Sequence, residues 1–310
     1  MPQGKRKLAS GVYEVARLEE GVVVVDETLV RAVTEQAEFA HPSNLGIPLA
    51  AEMARALQVS AFTVEPVGVD EFAPEAEVSG YAPVRRRSTG HVLSIKAAAR
   101  RAGQDLGRSP AEANLVVAHL GGGVTIAALR RGAIVDANTA LLGDGPFTPQ
   151  RAGALPTRDL IALCYSGRFS REALEAELSS RAGLYSYLGT HDLGEIENQI
   201  SAGKEEAGFV LEAMCYQFAK QIGAMACVLR GEIEAVVVTG GLARSRAAME
   251  KLRSRVSHLG PLLVYPESLE MSAMAAGAGR ALSGEEPVLR WADFAPDASA
   301  EKEVGDAEAI

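Results

Sequence analysis

The chain of 310 residues has only three cysteines, Cys164, Cys215 and Cys227, an odd count with no C-x-x-C pair. That argues against a disulfide framework and against a zinc site, and it fits a reducing compartment. No apolar run approaches the roughly 18 residues that a membrane helix requires. The basic start MPQGKRKLAS is not followed by the apolar stretch of a signal peptide. A cytoplasmic protein with no membrane partner is expected. Positive charge is also short, since the formal net charge is −9. Nucleic acid is therefore not an expected partner, because phosphate backbones need a basic face. A local basic pocket for a small anion remains open.

What is present is an ordinary globular composition, with 47% hydrophobic and 23% charged residues over a length comfortable for two domains. The run VVVV at 22–25 reads as a strand, with Asp26 capping the helical stretch that follows. HPSNLG at 41–46 reads as a turn, and AFTVEPV at 61–67 as a second strand. Residues 69–87 show no regular period and read as a loop or crossover. A helix is predicted over 88–102, then a buried strand over 114–120 and two strands within 124–138 joined by a tight turn at Arg130–Gly132. A Gly/Pro-rich loop over 139–156 precedes a series of helices. EAVVVTGG at 234–241 reads as a strand ending on two glycines, followed by a helix, a strand at 261–267 and a small-residue helix. A meander followed by crossover helices predicts a mixed sheet with helices on its faces.

Two glycine corners end buried strands: HLGGG at 119–123 and TGGLARS at 239–245. Glycine is unfavourable inside strands, so Gly121, Gly122 and Gly123 should permit something a side chain would prevent. Bare N–H groups at such corners can cradle phosphate, and the second corner runs into a helix N-terminus. Each corner alone also reads as a plain tight turn. Neither matches the P-loop or the dinucleotide pattern.

Taken in order, AHPSNLG (40–46), VDEF (69–72), RRRSTGH (85–91), AHLGGG (118–123), DGPFTPQRAGALP (144–156), CYQFAKQIGAMA (215–226), VVVTGGLA (236–243) and AAGAGRAL (275–282) resemble the acetate/butyrate kinase family of the actin-like ATPase superfamily, in the order seen in butyrate kinases. The resemblance runs from about Gly11 to Leu282. It implies an α/β fold of two actin-like (ribonuclease H-like) domains around a cleft. It also implies transfer of a phosphoryl group from ATP, with Mg²⁺, to a short carboxylic acid, with a homodimer as the working form. The expected division is a first, partial actin-like domain over 1–71, a second over 72–283 carrying the nucleotide loops, and a largely flexible tail over 284–310 whose return to the first domain is left open.

The same resemblance assigns catalytic roles to His91, Arg151, Asp70 and His119, with Asp70 also placed to hold Mg²⁺. Gly121, Gly122, Gly123, Gly240, Gly241, Leu242 and Ala243 would face the nucleotide, and His41 and Asn44 the acid. For His119 a core position competes with phosphate contact, and for Asn44 a role in helix capping competes. Arg85, Arg86 and Arg87 could equally form a solvated face. Asp136 and Asp144 are weaker metal candidates, and His191, His258 and the cysteines read as structural. A valine at Gly240 is expected to abolish nucleotide binding at little cost in stability.

The pattern departs from the family at its start. The Asn/Gly/Ser/Lys-rich first phosphate loop and an Arg-Gly-Gly do not precede SGVYEV at 10–15. The first domain is therefore expected to be incomplete at its N-terminus and the chain as written to have little kinase activity. The alternative function is a non-catalytic nucleotide-binding or subunit-interaction protein of the same fold.

Overall fold

A computed structural model describes residues 21–35, 45–67 and 69–293; His41 and Asn44 lie outside the described residues. The chain runs through β1 (Val22–Val24), α1 (Glu27–Glu35), α2 (Gly46–Leu57), β2 (Phe62–Val64), β3 (Val78–Tyr81), β4 (Val84–Arg85) and α3 (Val92–Leu106). The meander β5 (Asn114–Leu120), β6 (Val124–Arg130) and β7 (Ala133–Ala137) follows. Next come α4 (Thr157–Cys164), α5 (Arg171–Ser180), α6 (Gly183–Leu188), α7 (Leu193–Ser201) and α8 (Glu205–Val228). The last elements are β8 (Ala235–Thr239), α9 (Arg246–Val256), β9 (Leu262–Tyr265), α10 (Glu270–Ser283) and β10 (Val288–Leu289).

The larger sheet has the order β7-β6-β5-β8-β9. β5 pairs antiparallel with β6 and parallel with β8, so the sheet is mixed as the sequence predicts. Period-2 alternation explains its double burial. Val116, Ala118 and Leu120 pack with α8 and α9, while Leu115 and Val117 pack with α3 on the other face. Alanines 98, 99 and 102 let α3 lie close to the strands. That helix begins and ends later than predicted. It stops at Gly107, whose φ of 65° ends the helix without a Cβ penalty, and the Arg108 N–H closes back onto the Gly103 carbonyl at 2.9 Å. Between β6 and β7, Arg131 (φ 52°) and Gly132 (φ 89°) form the tight turn, with positive φ at both central residues.

A smaller sheet, β10-β1-β2, joins the start of the described chain to its end, since β10 runs parallel to β1. Trp291 just beyond it is buried. Gly277 of α10 sits so close to β2 that a Cβ would lie 2.5 Å from Val64 Cγ1.

The segment read as a loop over 69–87 contains an ordered hairpin, β3–β4. Its strand residues are all exposed. With neither face buried, no apolar alternation marks it in the sequence.

Candidate active site

The carboxyl ends of β5 and β8 lie side by side, with His119 opposite Thr239 in the parallel register. From there β5 turns toward β6 and β8 leads toward β9, so a crevice opens between them. Such switch points are where open α/β sheets bind ligands. Both glycine corners line it. Their closeness is physical: a Cβ on Gly240 would lie 2.5 Å from the Leu120 carbonyl oxygen.

Alternation also sets which side chains reach the crevice. With Leu115 and Val117 facing α3, His119 faces α3 too, and its antiparallel neighbour Thr125 lies on the same side. His91 immediately precedes α3, and its ring stacks on that of His119 with centroids 4.1 Å apart and planes 16° from parallel. Thr125 Oγ1 lies 2.8 Å from His91 Nδ1. Burial pushes the His91 imidazole down to about 3, helped by the neighbouring His119 and Arg151 and opposed by Glu270. Burial also lowers His119. Both rings are neutral near pH 7.

None of the three glycines has positive φ; clearance is required at Gly123 and tight at Gly121, where a Cβ would lie 3.3 Å from His119 Nε2, whereas Gly122 has room for one. A Cβ on Gly123 would lie 2.7 Å from Arg151 Nη1 and 2.9 Å from His91 Cε1. The bare backbone lets an imidazole and a guanidinium converge over it. Arg151 is delivered by the Gly/Pro-rich loop, which Thr148 ties to the corner. The Thr148 hydroxyl donates to the Gly122 carbonyl at 2.8 Å and accepts the Arg151 N–H at 3.0 Å. Gly183 at the start of α6 has φ 61° and leaves no room for a Cβ against the Thr148 carbonyl, which locks the loop from behind.

Two polar atoms in this cluster are buried without a partner: His119 Nδ1 and Arg151 Nε. Arg151 Nη1 donates to the Ala140 carbonyl at 3.0 Å, and burial holds the guanidinium below its ordinary value. Arg151 Nε is a donor, and His119 Nδ1 donates or accepts according to its tautomer; orphaned buried polar groups are rare and ask for a ligand or ordered water. An anion such as a phosphoryl group fits this chemistry.

On the other side of His119, a cleft with about 330 Å³ of empty volume is lined by Gly240, Gly241, Arg244, Glu267 and Glu270, among others. Leu242 and Ala243 turn their side chains into the core and are not among the residues that line the cleft. Glu270, at the start of α10, was not among the predicted residues. It accepts hydrogen bonds from Ser94 at 2.8 Å and Ser268 at 2.5 Å. Burial would raise its carboxyl, but the bonds from Ser268, its own N–H and Ser94, with His119 nearby, outweigh burial and hold it below the usual range. Its sequence signal was available: an acidic residue just after a strand in this sheet, where the crevice must lie. Thr125 and Thr148 carried no such signal.

Asp70 lies in the crossover segment, where its Oδ1 accepts the Phe72 N–H at 3.1 Å. The neighbouring residues run along β7, with Glu71 accepting the Ile134 N–H at 2.8 Å. Of the three consecutive arginines, Arg85 pairs with Glu77, and Arg86 turns inward. Arg86 binds Asp136 at 3.0 Å and Asp144 at 2.9 Å and stacks over Phe72. Asp136 and Asp144 are thus charge partners of an arginine, which corrects their reading as metal candidates. Among the described residues no group of three or more His, Cys, Asp or Glu could hold a metal by itself. Cys215 is buried as read, whereas Cys164 and Cys227 are exposed. No described helix is long and apolar enough to cross a membrane.

Neutral buried imidazoles make stability depend on pH. The folded value of His91 is about 3 against 6.5 unfolded, so below 6.5 the unfolded chain binds more protons. The His91 contribution is full above pH 6.5 and falls toward pH 3, by up to ~1.4 kcal/mol per pH unit. The melting temperature of the wild type should be flat above pH 7 and decline from pH 6.5 to 5. His91→Gln should decline less steeply, and an unchanged slope would remove His91 as a source.

Strand order and the paired glycine corners define an actin-like ATPase fold. The chain belongs to the acetokinase family, a family of carboxylate kinases, whose model matches residues 72–277. It is 40% identical over 273 residues to a protein of Enterococcus faecalis described as a probable butyrate kinase, covering 88% of this chain and 76% of that one. Among solved structures it is similar to an acetate kinase from Porphyromonas gingivalis, with a TM-score of 0.71 at 21% identity over 85% of this chain and 75% of that one. A propionate kinase from Francisella tularensis gives a TM-score of 0.62 at 21% identity, covering 78% of this chain and 65% of that one.

Proposed function

We propose that the chain, against the expectation of little activity drawn from its start, transfers the γ-phosphoryl group of ATP to the carboxylate of butyrate or a similar short-chain fatty acid, giving an acyl phosphate and ADP, reversibly. The observation that supports this most is the convergence of His91 and Arg151 over bare Gly123, one strand from the Gly240–Gly241 corner. Phosphoryl transfer is chiefly positioning and neutralisation of charge spread over three equatorial oxygens. In this reading the Gly240–Ala243 backbone and Gly121–Gly123 carry the nucleotide phosphates. Arg151 and His91 donate to the phosphoryl oxygens, and His119 backs the His91 ring. By the family resemblance Asp70 would help to hold Mg²⁺, and Glu270, which lines the cleft, is a second candidate for a cation usually bound through one or two carboxylates plus phosphate oxygens. When bound, the ion neutralises phosphate charge. The family resemblance would assign His41 and Asn44 to binding of the acid.

Butyrate as the acid rests on the likeness to the Enterococcus relative, because one methylene in a pocket decides only ~1–3 kcal/mol. The test is ATP-dependent acyl hydroxamate formation from acetate, propionate and butyrate. The highest kcat/KM is expected for butyrate. Hydroxamate from none of the three would overturn the reading.

The nucleotide half has a separate check. Gly241 has no atom within 4 Å of a built Cβ and lines the cleft. Gly241→Val should therefore weaken ADP binding in calorimetry while leaving the melting temperature unchanged. Unaltered affinity would remove this corner from the nucleotide site.

A further inference from the structure

We infer that Thr125 is a positioning residue that fixes His91 as the neutral tautomer with its proton on Nε2, so that the ring can only donate toward the phosphoryl site. This rests on the proposed role of His91 for its catalytic consequence, though not for the tautomer itself.

Protons and lone pairs must balance around the Thr125 hydroxyl. A threonine hydroxyl has one proton to give and two lone pairs. Thr125 is 3% exposed, so water does not serve it. One lone pair takes the His91 backbone N–H at 3.3 Å. The other close partner is His91 Nδ1 at 2.8 Å. Were Nδ1 protonated, both contacts would be donors into Oγ1, and the hydroxyl proton would be left buried without an acceptor among the described residues. Leaving a buried hydrogen bond unmade is costly. With Nδ1 bare, the hydroxyl donates to it and every group is satisfied. The ring proton then stands on Nε2.

Packing supports the arrangement. A Cβ on Gly90 would lie 2.9 Å from Thr125 Cγ2 and 3.0 Å from its Oγ1, so only glycine before His91 lets backbone and ring reach the same hydroxyl. The opposite ring edge faces the cradle, where a Cβ on Gly123 would lie 3.2 Å from Nε2 and 2.7 Å from Arg151 Nη1. An Nε2 lone pair there would repel phosphoryl oxygens; an N–H binds them. The low proton affinity of the buried ring keeps it from gaining a second proton. His91 so held is a hydrogen-bond donor. It has no lone pair on the cleft side with which to attack phosphorus or to act as a base.

Long-range ¹H–¹⁵N correlation spectra of the whole protein read the tautomer directly, with the His91 signals assigned by their absence in His91→Gln. The expected result is protonated Nε2 and bare Nδ1 in the wild type. Thr125→Ser keeps the hydroxyl and should retain that spectrum, with kcat within a few-fold. Thr125→Val should release the ring to a mixture of tautomers and lower kcat on the order of 10²-fold, with KM for the acid little changed. That is less than the ~10⁴-fold loss when a catalytic triad loses its orienting carboxylate, because a hydroxyl holds a ring less firmly. Protonated Nδ1 in the wild type overturns the inference, even if the valine variant fails to fold. So does a valine variant that keeps both the Nε2–H spectrum and full kcat. Absence of carboxylate kinase activity in the wild type would instead defeat the proposed function, and the spectrum would still decide the tautomer.

Discussion

His91→Ala is expected to lower kcat by about 10²–10³-fold while KM for the acid changes little. A donor aimed at the moving phosphoryl is engaged more strongly in the transition state than in the ground state, so its loss appears in kcat. The structure adds a reason for a result near the upper end. The His91 ring is half of a stacked pair with His119 at 4.1 Å, and its removal takes away the face that keeps the second ring in place. His91→Gln, which retains a polar side chain of similar reach, should lose less. Steady-state rates of acyl hydroxamate formation at saturating acid supply the measurement. A change confined to KM would place His91 in ground-state binding of the carboxylate.

Gly240→Val should be strongly destabilising, with or without nucleotide. Gly240 has φ 92°, and a Cβ there would lie 2.5 Å from the Leu120 carbonyl oxygen, 2.8 Å from its carbonyl carbon and 2.9 Å from its nitrogen. All three are backbone atoms of a strand in the middle of the sheet, which cannot yield as a flexible side chain does. Unfavourable φ costs ~1–3 kcal/mol and overpacking a further ~1–3 kcal/mol. A fall in melting temperature of roughly 5–20 °C follows for a chain of this size. This overturns the expectation from sequence that the substitution would spare stability. A melting temperature within a degree or two of wild type would mean that the two corners are not packed together. Gly241→Val, one residue on and facing open space, separates binding from folding where Gly240→Val does not.

The two glycines of one corner illustrate why much of the site could be read from sequence and some could not. That a strand ended at Thr239 on bare backbone was visible in VVVTGG, since apolar runs and glycines are local signals. Which glycine touches the other corner depends on the parallel pairing of β5 with β8, across more than a hundred residues of chain. The same holds for charge. RRRSTGH announced a basic segment beside His91, but only the fold shows that Arg86 is taken by Asp136 and Asp144.

The sequence by itself determined the mixed sheet, the two glycine corners at strand ends, and the presence of His91, His119 and Arg151 as cleft candidates. The sheet and the corners follow from period-2 alternation and the conformational cost of glycine, carried by neighbouring residues; the cleft candidates follow from the family resemblance of the ordered motifs. The tertiary structure alone decided what each group meets. It brings Thr125 to His91 across 34 positions, the Thr148 hydroxyl to Gly122 across 26, and Glu270 to Ser94 across 176. A hydroxyl or a carboxylate has no periodic signature of its own. Its role is set by the donor or acceptor that packing places within 3 Å, and by the water that burial takes away.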